Sequence, residues 1–167
     1  MNAERIEGLK ALVRAAGVDG LIIAGGAVRD AYLDIPARDI DFVVKHPGDP
    51  VKLAEIIGRV RKAAGVKELA LVSEASENPY EGAFELYRSE DSGVEVVVAM
   101  VDAVDYVDGF DDDISQMWVD GKQFYATPQS RNAARSKTIT VDRDQRRRFA
   151  KLKAKFRAED GWLVQYA

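Results

Sequence analysis

The chain has 167 residues, 47% hydrophobic and 31% charged, which suits one domain with a real core and leaves no room for large added substrate-binding domains. It has no cysteine and a single histidine, His46, which excludes disulfides, thiolate metal sites and a histidine-rich zinc centre. Net charge is −4, yet residues 131–157 hold eleven Lys or Arg against only Asp142 and Asp144, so a basic C-terminal arm faces an acidic body. Such an arm suits a polyanion, or is simply a solvated helix face.

The charged start, MNAERIEGLK, lacks the apolar core of a signal peptide, and no apolar run is long enough to span a bilayer. A cytoplasmic protein with no membrane partner is therefore expected. Ile6, Leu9, Leu12 and Val13 recur at helical spacing and predict an amphipathic helix over 3–15. GLIIAGG reads as a buried strand ending in a glycine turn, AVRDAYL as a helix start, and DIDFVV (39–44) as the next strand. Val51, Leu53, Ile56, Ile57 and Val60 predict a second amphipathic helix over 51–64, which Gly65 can end. KELALVS, GAFELYR (82–88) and GVEVVVAM are strand-like, the last two separated by the polar turn SEDS. DISQMWVDGKQFYATP reads as a short helix or a strand, with a turn at Asp120-Gly121. VDRDQRRRFAKLKAKFRAED reads as a helix with Asp142 and Gln145 as a capping box and Phe149, Leu152 and Phe156 as its apolar stripe. The sum is an α+β domain on a mixed sheet.

The stretch from Leu21 to Val44, LIIAGGAVRDAYLDIPARDIDFVV, concentrates the chemistry. Side chains alternate on a strand, so Asp39 and Asp41 emerge on one face while Ile40 points to the core. Two carboxylates that close repel unless a cation lies between them. Without thiolates or a histidine cluster the cation is magnesium or manganese, and magnesium is usually held by one or two carboxylates plus substrate phosphates. The Gly25-Gly26 turn at a helix start can bring backbone N–H groups to phosphate oxygens, and Arg29 one turn on could reach the same anion. Glycines for phosphates and carboxylates for metal describe a nucleoside triphosphate site.

GGAVRDAYLDIPARDIDFVV resembles the signature G-G-x-V-R-D, spacer, D-x-D-h-V of the tRNA nucleotidyltransferase and poly(A) polymerase head domain, class II type, in the DNA polymerase β-like nucleotidyltransferase superfamily. The resemblance implies a nucleotidyltransferase fold: a mixed β-sheet flanked by helices over residues 1–127, with a basic neck-like segment over 128–167 packed on that head. It implies a third carboxylate on a later strand, which GVEVVVAM supplies as Glu95, whose other reading is a solvent-facing acid on an edge strand. The family's R-R-D-F-T-I-N-A motif, whose Asp holds the ribose, has its counterpart in GFDDDISQMW. There Asp111 takes the Asp place and Ile114-Ser115 match Ile-Asn, although the two arginines are missing and the three acids could equally cap a helix. The neck motif E-D-x-x-R, whose Asp and Arg bond the incoming base, is met by RDQRR as Asp144 and Arg147, with Arg143 replacing the Glu. The body and tail domains that grip tRNA have no counterpart, so the chain is similar to the short nucleotidyltransferases of some bacteriophages, which would place it in a host cytoplasm.

The reaction implied is transfer of a nucleotide from an NTP, ATP or CTP favoured, to an RNA 3′-hydroxyl, with tRNA 3′-end addition or repair as the leading case. Asp39, Asp41 and Glu95 would hold two Mg2+ (or Mn2+) ions, with Glu95 as ligand or base. Gly25, Gly26 and Arg29 would hold the triphosphate and Asp30 would brace the turn. Asp111, Asp144 and Arg147 would bind the nucleoside, and Arg146, Arg148, Lys151 and Lys155 the RNA backbone. Two other readings stand beside this one: a toxin-like transferase acting on another tRNA or protein hydroxyl, and a nucleotide- or RNA-binding module without catalysis.

Overall fold

Local signals place the helix ends. In the computed structural model, which describes residues 1–74 and 83–167, helix α1 (Ala3–Ala16) starts at Asn2, whose side chain accepts from the Arg5 N–H, and stops at Gly17, with φ +61. Strand β1 (Ile22–Ala24) runs through the glycine turn into α2 (Gly26–Tyr32), and β2 (Ile40–Lys45) follows. Helix α3 (Pro50–Ala64) is capped by Asp49, has Pro50 in its first turn and ends at Gly65. Three strands come next: β3 (Ala70–Glu74), β4 (Ala83–Arg88) and β5 (Val94–Ala99). Gly82, the first residue of the predicted strand 82–88, lies outside the described residues.

The segment 113–128 that reads as helix or strand is a hairpin: after α4 (Ala103–Asp108), β6 (Met117–Val119) turns at Asp120 into β7 (Phe124–Ala126). Asp120 Oδ1 accepts the Lys122 and Gln123 N–H groups, which makes the turn.

These strands form one sheet in the order β3-β4-β5-β2-β1-β6-β7, with β2 and β5 as its parallel pair. Ile23, Phe42, Val44, Val96 and Val98 pack on one face beneath α1, α2 and α3. Ile22, Val43, Leu86 and Val97 pack on the other, against Ala103, Tyr106 and Val107 of α4. Burial on both faces explains the unbroken apolar runs of β2 and β5. Helix α4 has only six residues, and the first turns of β2 and β5 on its face carry acids instead of apolar groups.

The C-terminal part corrects the sequence expectation. Helix α5 (Pro128–Ser136) is followed by β8 (Thr138–Val141), then α6 (Arg146–Lys155), a short 3-10 turn (Ala158–Asp160) and β9 (Leu163–Tyr166), which pairs in parallel with β8. The expected capping box is absent: Gln145 precedes the first turn without a side-chain bond, and the Asp142 carbonyl accepts the Gln145 N–H in a turn. Leu152 and Phe156 do bury their stripe, with Ile114, Ala133, Ile139, Val141 and Val164, in a third core cluster that reaches Leu33 and Ile35 after α2.

Candidate active site

Register brings the acids together. Asp41 of β2 lies level with Glu95 of β5 on one side and Ala24 of β1 on the other, and Glu95 lies level with Arg88 of β4. Residues level on neighbouring strands share a face, so these side chains stand in a row on the α4 side of the sheet. The Asp41 and Glu95 carboxyl groups are hydrogen-bonded to each other. Arg88 Nε donates to Glu95 Oε1 at 2.6 Å and fixes its direction. Burial, then the charges of Glu95 and Asp39, push the Asp41 carboxyl up to about 7, with Lys151 opposing the rise.

Asp39 sits one residue before β2, exposed. Its Oδ1 and the Arg38 carbonyl crowd over Gly93, 2.5 and 2.9 Å from the place a Cβ would take, and Gly93 has φ +69. Among the described residues no three acid or histidine side chains form a ready metal cage. The predicted trio is thus a joined pair, Asp41 and Glu95, with Asp39 on the shoulder beside it. The pair nevertheless fits a hard divalent ion. It is all oxygen, and two carboxyls held this close repel unless a cation lies between them.

The glycine turn is less open than expected. Gly25 has φ +76, its N–H donates to the Met117 carbonyl at 2.9 Å, and Phe110 Cε2 lies 3.4 Å from its Cβ position. Of the two glycines, Gly26 is the less buried.

Arg29 does not reach outward. It is buried, its guanidinium donating to Asp30 Oδ1 at 2.8 Å and to Ser115 Oγ at 3.2 Å, with Phe156 stacked beneath it. Asp30 also accepts from Lys155 Nζ at 2.5 Å, so its carboxylate ties α2 to α6. Two residues expected on an RNA backbone turn inward instead. Lys155 ends on Asp30, and Arg148 donates to Asp112 Oδ2 at 2.7 Å and to Ser115 Oγ at 2.9 Å. The reason is local: Asp30 and Asp112 are buried acids, and a buried charge requires a partner.

In the DDDIS run, Asp112 Oδ1 accepts the Ser115 N–H and Asp113 Oδ1 accepts the Thr140 N–H, while the Asp111 carbonyl accepts from the Asp142 N–H. Burial raises the Asp113 carboxyl above its usual range. A cavity of about 350 Å³ opens here, lined by Phe110, Asp112, Asp113, Gln116, Gln129 and Thr140, with Asp142 at its edge. Asp111 is part-buried and does not line it. Asp144 lies in the turn before α6 and Arg147 in its first turn, both exposed, so the pair does not share a helix face. Arg146 and Lys151 are exposed on α6.

Sequence reading missed Arg88, Asp112 and the head-facing role of Arg148. The Arg88 signal was present, since a hairpin with the SEDS turn sets position 88 opposite position 95.

The description "Poly A polymerase head domain" matches residues 21–150. No curated protein matches the chain. Among solved structures, the Thermotoga maritima CCA-adding enzyme complexed with tRNA superposes with a TM-score of 0.61 at 16% identity, over 98% of this chain and 40% of that one. A CCA-adding enzyme with CTP gives 0.57 at 17% identity, over 98% and 41%. A tRNA-processing enzyme with CTP gives 0.56 at 19%, over 93% and 43%. The chain thus spans about two fifths of the length of these structures. The profile over residues 21–150, the shared nucleotidyltransferase fold and the carboxylates on adjoining parallel strands agree: the chain belongs to the tRNA nucleotidyltransferase and poly(A) polymerase head-domain family.

Proposed function

We propose that this chain is a metal-dependent nucleotidyltransferase that moves a nucleotide from an NTP to the 3′-hydroxyl of an RNA, with tRNA as the leading acceptor. The observation that carries the reading is the Asp41–Glu95 pair, level with each other on adjoining parallel strands. The CCA-adding enzymes that superpose on this chain are complexes with CTP, ATP or tRNA, which supports the same ligand classes here.

Asp41 and Glu95 would hold Mg2+ or Mn2+, with Asp39 adding an oxygen from the shoulder. A bound divalent ion there supplies charge for the attacking and leaving oxygens of an in-line displacement. In that displacement the acceptor oxygen bonds to the α-phosphorus, the bond to the β-bridging oxygen breaks, and pyrophosphate leaves. Glu95, whose direction Arg88 fixes, would take the proton of the hydroxyl. Gly26 offers backbone to the phosphates. The cavity beside Phe110 suits the nucleoside better than Asp144 and Arg147 do, because the Gln116 and Gln129 amides and the Thr140 hydroxyl can meet a base edge. The exposed Arg146 and Arg147 suit the acceptor's phosphates.

Each labelled NTP, incubated with Mg2+ and tRNA lacking its 3′ end, tests the reading. Label should pass to the RNA and be lost in Asp41→Asn and Asp39→Ala. Transfer undiminished in Asp41→Asn would refute the assignment. Nucleotide binding without pyrophosphate release would instead make the chain a binding module, the reading that the altered GFDDDISQ stretch favours.

A further inference from the structure

A triphosphate beside two carboxylates needs cations from the protein as well as from metal ions. Most of the basic groups around the site are already engaged. Arg29 is held by Asp30 and Ser115, Arg88 by Glu95, Arg148 by Asp112, and Lys155 by Asp30.

Arg148, Lys151 and Lys155 occur at helical spacing on α6, three and four residues apart, and so share one face. Both outer members reach across to the head, one to the loop before β6 and the other to the helix after the glycine turn. Their ion pairs fix which way that face points, and Lys151 lies between them. Its side chain is exposed and has no hydrogen-bonded or ion-paired partner among the described residues. On α6 it stands between the residue that grips Asp112, a lining residue of the cavity, and the one that grips Asp30 in the helix after the glycine turn.

From this arrangement we infer that Lys151 is a nucleotide-binding residue: its ammonium group meets the triphosphate of the incoming NTP, on the face of α6 that the flanking Arg148–Asp112 and Lys155–Asp30 bridges hold against the head. The inference rests on the proposed nucleotidyl transfer and removes Lys151 from the RNA-backbone contacts expected of the basic arm. A flexible ammonium suits this place, because it can follow phosphate oxygens that shift as pyrophosphate departs.

The test compares wild type with Lys151→Gln and Lys151→Arg in Mg2+. It measures the Kd of ATP and CTP, competition by inorganic tripolyphosphate, the Kd of tRNA lacking its 3′ end without nucleotide, and thermal stability. Lys151→Gln should weaken ATP, CTP and tripolyphosphate together by about tenfold, the size of one charge-assisted hydrogen bond. It should leave tRNA affinity and Tm unchanged, and Lys151→Arg should restore most of the loss. Weaker tRNA binding with intact ATP binding would overturn the inference and leave the transferase reading standing. So would unchanged affinities throughout, or a fall in Tm with no fall in nucleotide affinity. A wild type that binds neither ATP nor CTP would overturn both.

Discussion

At the scale of single residues, Asp41 makes the metal-free protein sensitive to pH. Burial and the neighbouring acids push its folded carboxyl up to about 7, from an ordinary 3.8. A raised carboxyl contributes stability that is complete below the unfolded value and is lost as pH rises through the folded one. Without divalent ions, thermal stability should therefore fall between pH 4 and pH 7.5, and Asp41→Asn should flatten that slope. Magnesium at pH 7.5 should restore wild-type stability by mass action and leave the variant unmoved. Gly93 supports the same acids from behind. Gly93→Ala sets a Cβ against Asp39 Oδ1 and the Arg38 carbonyl at a φ of +69. Left-handed backbone alone costs roughly 1–2 kcal/mol, so the variant should lose Tm and magnesium affinity together. Strand alternation made Asp39 and Asp41 legible in the sequence, and the family resemblance pointed to Glu95. Gly93 was not legible, because its role depends on which strand lies beside β2.

At the scale of elements, α6 shows what a pattern can and cannot tell. The spacing of Phe149, Leu152 and Phe156 identified a helix and its buried side. It did not give the ends, because β8 pairs with β9 some 25 residues later, and that pairing takes Val141 out of the helix. The basic residues of α6 were equally ambiguous, since a Lys or Arg on a helix looks the same whether it meets solvent, RNA or a buried acid. Asp30 and Asp112 decide for Lys155 and Arg148. Two substitutions test this layer. Leu152→Ala, at a side chain only 1% exposed, should cost about 2–5 kcal/mol in denaturant unfolding. Asp30→Asn leaves the buried Arg29 guanidinium without its carboxylate and should cost about 3–5 kcal/mol. A loss below 1 kcal/mol in Asp30→Asn would show that the Arg29–Asp30–Lys155 bridge does not hold α6 to the head.

At the scale of the whole molecule, the sheet determines where chemistry can happen. Strands β2 and β5 run parallel and are buried on both faces, and the short α4 covers only part of one. Their opening residues form the edge of that covered area, and there the sequence replaces Val with Asp41 and Glu95. The apolar runs marked both segments as strands, and the DID triplet made Asp39 and Asp41 legible. The union of Asp41 and Glu95 across two strands 54 positions apart in the chain follows from the parallel register alone. The direct test of this geometry is calorimetric titration of Mg2+ with ATP or CTP into wild type, Asp41→Asn and Glu95→Gln, with circular dichroism as the folding control. The account predicts metal-dependent nucleotide binding that falls at least tenfold in each folded variant. Equal affinity in all three proteins would contradict it.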